Sequence, residues 1–385
     1  MTVIKKKYRK RTVWSAVPLM LCVAFLVSCG GGHSRSTASD GKAREMRRAE
    51  NLTITDREGY TEVTVRNPWD TVRTLQKYLL VDRDSVLPDN LPQGTVIRTP
   101  VRNTLVYSTV HNGLIKELGA IDAIGGVCNS EYIYDPELKG RISSGRIVDC
   151  GISMSPDLER IIKLHPEVIM LSPFENNDKY AKVGDLGIPI LECADYMETS
   201  PLGRAEWVKF YGMLFGEEER GERMYASTEA AYLKLKEKAA TAKNRPKVII
   251  DQRYGQVWNV PGGNSTMGIL IEDAGGENPF SHFSQSGSVA ISPEKVLGEA
   301  HDADVWFVRY NQKEEKSMAE LAADAPVNSR FKAYREGNVY GCNTRYINFY
   351  EETPFHPDRL LRDMVILMHP GLMEGEEPEY YHKLQ

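Results

Sequence analysis

The sequence is short of nearly everything that announces catalysis, metal storage or nucleic-acid binding. Its 385 residues hold six cysteines, and none stands in C-x-x-C spacing, so a zinc ribbon and a thioredoxin-type redox site are excluded. The eight histidines are scattered. There is no H-E-x-x-H, G-x-S-x-G, G-x-x-x-x-G-K-[ST] or G-x-G-x-x-G. Carboxylate pairs exist, but any chain with 53 acidic residues supplies them. A hydrolase and a bare-metal carrier are therefore the weaker classes, and no catalytic residue, protein-held metal or resident cofactor is expected. Basic excess is missing too: 48 Lys and Arg stand against 53 Asp and Glu, a net charge of −5, which disfavours a nucleic-acid partner. One apolar run stands out, Val17 to Val27, too short and too near the terminus for a spanning helix.

What surrounds that run is informative. Six basic residues (Lys5, Lys6, Lys7, Arg9, Lys10, Arg11) precede it, and Leu26-Val27-Ser28-Cys29 closes it. A basic start, a short apolar stretch and small residues at the end form an export signal. Leu-Val-Ser-Cys resembles the bacterial lipobox, which implies cleavage before Cys29 and lipid on its thiol. Residues 1–28 are then the signal peptide, and the chain works outside the cytoplasm, anchored to a membrane of the cell envelope. Without the six leader basics, 42 basic residues face 53 acidic ones, a net charge of −11. Four cysteines remain: Cys128, Cys150, Cys193 and Cys342. An oxidising envelope allows some to pair, and free buried thiols fit equally well.

Residues 29–50 are rich in Gly, Ser, Lys and Arg and read as a flexible tether. Residues 51–100 alternate around Arg57-Glu58-Gly59 like a hairpin and read as an accessory β segment. Beyond Pro100 short apolar runs alternate with helical stretches: Leu105–Tyr107, Ile124–Val127, Val168–Leu171 and Ile188–Leu191, then Val248–Ile250, Val257–Val260, Val289–Ile291, Val305–Val308 and Val339–Tyr340. Continuous apolar strands separated by helices imply parallel sheets covered on both faces. The fold class is α/β: two Rossmann-like lobes, residues 101–200 and 246–385, joined by helices over 201–245. Gly216 is a natural helix stop, and Glu217 to Lys243 reads as one long backbone helix ended before Pro246.

One segment occurs once per lobe. Ser155-Pro156-Asp157-Leu158-Glu159 leads to a strand at Val168, and Ser292-Pro293-Glu294-Lys295-Val296 to one at Val305, thirteen positions on in both cases. Serine as N-cap, proline at the first helical position and an acid in the first turn predict a helix start at each.

These segments, with Leu105-Val106-Tyr107-Ser108, Leu164-His165-Pro166-Glu167-Val168-Ile169, Leu186-Gly187-Ile188-Pro189-Ile190 and Asp273-Ala274-Gly275-Gly276-Glu277-Asn278, resemble the substrate-binding proteins of iron-complex and vitamin B12 ABC importers. The likeness runs from about Arg102 to His369. It implies a ligand cleft between the lobes and docking of a monomeric receptor onto a permease dimer through one acid per lobe, here Glu159 and Glu294. Ligands of open α/β lobes sit beyond the carboxyl ends of strands. There the first lobe offers His111, Tyr132, Tyr134, Phe174 and Tyr196, and the second Arg253, Trp258, His282, Arg309, Arg345 and Tyr346. Of these Tyr132, Tyr134, Arg253 and Arg345 are the leading candidates. Aromatics suit a large flat ligand and three arginines suit anionic groups, which puts a ferric siderophore-type chelate first. A corrinoid or haem is the alternative, since His111, His282 and Tyr132 are of the residue types that ligate haem iron.

Overall fold

The computed structural model describes residues 41–175 and 181–385. The leader, Cys29 and the first part of the tether lie outside the described residues. Five strands open the described chain: β1 (Lys42–Ala43), β2 (Leu52–Arg57), β3 (Tyr60–Arg66), β4 (Thr74–Asp82) and β5 (Thr95–Thr99). They pair in sequence order, antiparallel except for β4 with β5. The predicted hairpin is β2–β3, and Gly59, at φ +80°, takes the left-handed position of its turn. Its inward residues Leu52, Ile54, Val63 and Val65 share one core with Val106, Leu114 and Trp207. Residues 51–100 are thus built into the first lobe, and their sheet begins at Lys42.

The last part of the sequence-defined tether is held as well. The backbone N–H groups of Arg47, Arg48 and Ala49 donate to the carboxylate of Glu206 at 2.7–3.0 Å. Those of Glu50 and Asn51 donate to Glu198 at 2.8 and 2.9 Å. Both carboxylates are fully buried. Composition fails here because the buried carboxylates grip backbone N–H groups, while Arg44 and Arg48 find side-chain partners in Asp56, Glu218 and Glu229.

The first lobe contains β6 (Thr104–Val106), α1 (Thr109–Glu117), β7 (Ile124–Val127), α2 (Pro136–Ser143), β8 (Val148–Asp149), β9 (Gly151–Ile152), β10 (Ser155–Pro156), α3 (Leu158–Leu164), β11 (Val168–Leu171), α4 (Ala181–Gly184) and β12 (Ile190–Glu192). Its main sheet runs β12-β11-β6-β7-β8, all parallel. β6 and β11 are buried at every position, as central parallel strands must be. The α3 start differs from expectation. Ser155 and Pro156 pair with Ile152 and Gly151 in a small antiparallel ladder, so Asp157 becomes the cap and accepts the Arg160 N–H at 3.1 Å. All four described cysteines are buried and free, and burial raises the pKa of Cys128, Cys150 and Cys342.

Three helices link the lobes: α5 (Pro201–Glu206), α6 (Val208–Phe215) and α7 (Glu218–Ala239). Gly216, at φ +74°, closes α6, and the Glu217 N–H returns to the Gly212 carbonyl at 2.7 Å. Acids in the first turn of α7 and lysines in its last turn complement the helix dipole. Its 22 residues span about 33 Å, somewhat less than the sequence suggests. Tyr225 belongs to the first lobe's core, Tyr232 and Ala239 to the second's.

The second lobe contains β13 (Val248–Ile250), β14 (Trp258–Pro261), α8 (Thr266–Asp273), β15 (Ser288–Ile291), α9 (Pro293–Ala300), β16 (Val305–Tyr310), α10 (Met318–Asp324), α11 (Lys332–Arg335), β17 (Val339–Asn343), α12 (Phe349–Glu352), α13 (Pro357–Met368) and β18 (His382–Lys383). β13-β16-β17 are parallel and β18 adds an antiparallel edge. β14 and β15, expected in this sheet, form a separate antiparallel pair. α9 starts as predicted, with Ser292 as cap and Pro293 at the first position.

Candidate ligand cleft

The carboxyl ends of both parallel sheets open on one cleft of about 650 Å³. Six tyrosines line it: Tyr107, Tyr132 and Tyr134 from the first lobe, Tyr254, Tyr310 and Tyr350 from the second. Tyr132 is 57% and Tyr254 85% exposed, so both rings stand free to cover a ligand. Burial raises the pKa of Tyr310 and Tyr350, which keeps both phenols neutral at ordinary pH. A second chamber of about 440 Å³, with Tyr196 and Arg204 on one wall and Ser286–Ser288 on the other, meets the first at Arg309 and Tyr350.

Behind the cleft the lobes touch. Thr109 and Glu351 face each other where α1 packs against α12. Gly113 is required there, because a Cβ would lie 2.9 Å from that of Glu351. His356 reaches Glu117 at 2.7 Å. At the front, Tyr134 and Asn311 approach to 3.4 Å, and the Arg345 guanidinium lies 5.6 Å from the centre of the Tyr134 ring.

Arg309 is the central charge. Asp251 holds it bidentately, with Nε to Oδ1 at 2.8 Å and a second contact from Nη2 to Oδ2. Its guanidinium lies 5.2 Å from the Phe349 ring centre and 5.5 Å from that of Tyr350. Burial alone would weaken the cation, but Asp251 overrides this and its pKa is raised. Asp251 is itself in the left-handed region, at φ +60°. The pair is therefore a preorganised, internally neutralised group whose remaining guanidinium face is turned to the cleft.

The structure brings together Tyr132, Tyr134, Tyr196, Arg309 and Arg345 from the sequence-predicted set. It places six others elsewhere. His111 is buried in the first core, 3.0 Å from Asp195 and 3.3 Å from Tyr211. Trp258 is fully buried, donating to the Ile250 carbonyl at 2.9 Å and stacked on Trp306. His282 packs on Phe283 beside Glu299, on the outside of the second lobe's core. Arg253 turns away and donates to the Asp324 carbonyl at 3.0 Å, and its neighbour Tyr254 takes the cleft position. Tyr346 is exposed, with its hydroxyl on the Lys313 carbonyl at 2.9 Å. Phe174 is exposed beyond β11. The trio His111, His282 and Tyr132 is not assembled, so no haem ligation by these residues follows. Asn129, Asn311, Tyr350, Glu351 and Asp251 were not foreseen. Asn311 and Asn129 were within reach of the strand-end rule, each lying one or two positions past a strand.

Glu159 and Glu294 are exposed in the first turns of α3 and α9. Each helix precedes a strand parallel to its sheet, which places its first turn at the sheet's carboxyl, cleft-facing end.

Two α/β lobes on a helical bridge, with a tyrosine-walled cleft at their strand ends, define a two-lobed solute-binding protein. The family model described as Periplasmic binding protein matches residues 107–346, and the chain belongs to that family. It is 29% identical to an uncharacterised lipoprotein of Methanocaldococcus jannaschii over 80% of this chain and 76% of the relative. It is also 26% identical to a cobalamin-binding protein of Halobacterium salinarum, over 60% of each chain. The fold matches the ABC-type Fe3+-hydroxamate transport system structure from Saccharomonospora viridis (TM-score 0.56, 17% identity, 70% of this chain and 94% of that one). It also matches a periplasmic heme binding protein from Pseudomonas aeruginosa (TM-score 0.57, 15% identity, 74% and 98%).

Proposed function

We propose that the chain is the substrate-binding component of an ABC importer, capturing a large metal chelate outside the cytoplasm and delivering it to a permease without bond chemistry. The chelate is a corrinoid-type macrocycle ahead of a ferric siderophore. The carrying observation is the cleft itself: six tyrosines surround an arginine already neutralised by Asp251. A multiply anionic siderophore needs free cations, and the three arginines that favoured one are reduced. Arg253 lies outside the cleft and Arg309 is paired, which leaves Arg345 as the arginine at the rim. A weakly charged, flat macrocycle instead gains from stacking and area burial. The cobalamin-binding relative supports the same order.

The lipid anchor is Cys29. The lipoprotein relatives support it, and among the described residues no helix is long and apolar enough to cross a membrane. Glu159 and Glu294 are the docking acids, rigid on two helix starts and suited to orienting a permease with complementary charge.

Titrating the purified protein with cyanocobalamin, haem and a ferric tris-catecholate, followed by absorbance and calorimetry, tests the reading. One-to-one binding is expected, with the corrinoid tightest. Tightest binding of the tris-catecholate replaces the corrinoid with the siderophore, and binding of none of the three overturns the receptor.

A further inference from the structure

A third chamber, of about 320 Å³, opens off the cleft between α1, α2 and α12 and shares Thr109, Tyr134 and Glu351 with it. Its charged walls are satisfied internally. Lys116 pairs with Asp135 at 2.5 Å, Arg359 with Glu352 at 3.4 Å, and Glu117 with His356 at 2.7 Å. Asn112 is different. It lies on the face of α1 formed by Thr109, Asn112, Gly113 and Lys116, all of which line the chamber. It is 1% exposed, and neither its Oδ1 nor its Nδ2 has a hydrogen-bonding partner in the protein.

A buried amide with both atoms unmet costs free energy until a complementary group arrives. The complement of an amide is another amide, which donates N–H to Oδ1 and accepts from Nδ2 in one plane. A carboxylate offers only acceptors and would also meet the Glu351 carboxyl. We propose that this chamber is a carboxamide-reading subsite, in which Asn112 selects a ligand whose periphery carries neutral primary amide arms over the same ligand bearing carboxylates. The inference rests on the corrinoid reading, because corrinoid side chains end in such amides. It adds selectivity for the arm to recognition of the ring.

The test uses dicyanocobinamide, with amide arms, against dicyanocobyrinic acid, in which those arms are carboxylates, both titrated into the full chain. The wild type should prefer the amide by about tenfold, as expected when a site's buried polar group is matched rather than unmet. Asn112→Leu and Asn112→Ser should each bring the preference to within about twofold, with binding of the ring retained. The serine variant covers the case in which leucine does not fit. A preference unchanged in either folded variant overturns the subsite while leaving the receptor intact. Failure of the wild type to bind either corrinoid overturns the corrinoid reading and the subsite with it.

Discussion

The two lobes keep their charge in different places. In the first, ionised groups sit inside: buried Asp195 takes His111 at 3.0 Å, Arg204 at 3.0 Å and the Tyr211 hydroxyl at 2.9 Å. Nearby Glu206 and Glu198 grip the backbone of residues 47–51. Its cleft wall, by contrast, carries three tyrosines beside Ser108, Thr109 and Asn129 and, among the described residues, no charged side chain. In the second lobe Trp258, Trp306 and Phe331 pack with ring centres 5.2–5.7 Å apart, and the charge stands at the ligand wall as Arg309 with Asp251. Lys316, buried and paired with Asp324 at 2.7 Å, is one exception, and Asp363 is another. Asp363 is fully buried and accepts the N–H groups of Glu379, Tyr380 and Tyr381. Both ends of the described chain are thus pinned by buried carboxylates, since a carboxylate can satisfy several backbone donors that no β partner reaches. Inner charge in the first lobe holds the architecture, whereas the second lobe sets its Arg309 charge on the cleft wall.

The largest expected effect involves both lobes at once. Reversing charge at Glu159 and Glu294 together should abolish uptake of the chelate by cells while leaving its affinity for the purified protein unchanged. Unaltered transport in that variant removes the docking assignment.

Next comes the first lobe's inner charge. Asp195→Ala strands a buried cation pair and should lower unfolding free energy by about 3–5 kcal/mol in denaturant titration. A loss under about 1 kcal/mol, the range of exposed ion pairs, contradicts the architectural role.

The same network sets a pH window. Burial works to raise the Asp195 pKa, but His111 and Arg204 overcome it and hold it at about 2, against an ordinary 3.8. Burial likewise lowers the His111 pKa, and Cys193 and Asp195 reverse this, lifting it to about 10 from 6.5. The carboxylate's contribution to stability is present above pH 3.8 and is lost as pH falls through 2. The imidazolium's is whole below pH 6.5 and is lost as pH rises through 10. Melting temperature should therefore show a decline above about pH 6.5 that His111→Gln abolishes. An identical pH profile in the variant refutes it.

The smallest effect belongs to the second lobe. Asp251→Asn frees the Arg309 cation and should raise affinity for a ferric tris-catecholate by about fivefold, with cyanocobalamin changed less. Equal changes for both ligands would show that the pair orients side chains rather than tuning charge.

The strand runs and the bridging helix were legible because burial on both faces leaves unbroken apolar stretches: Val168–Leu171 is both predicted and observed. Side-chain direction at strand ends was not. Arg309 lies inside β16, near its carboxyl end, whereas Arg253 lies three positions past β13, where the left-handed Asp251 turns the chain and Tyr254, not Arg253, lines the cleft. His111 looked like a ligand because its partners Asp195 and Tyr211 lie 84 and 100 positions away. The grip on residues 47–51 uses backbone atoms, which leave no mark in composition.

The central claim is that the ligand lies between the tyrosine walls of both lobes. The most direct measurement compares cyanocobalamin affinity in Tyr132→Ala, on the first lobe, and Tyr254→Ala, on the second, with Tyr346→Ala, an exposed tyrosine outside the cleft, as control. The account predicts that each cleft variant weakens binding by about five- to tenfold and the control leaves it unchanged. Loss from one lobe alone, or equal loss in the control, would contradict it.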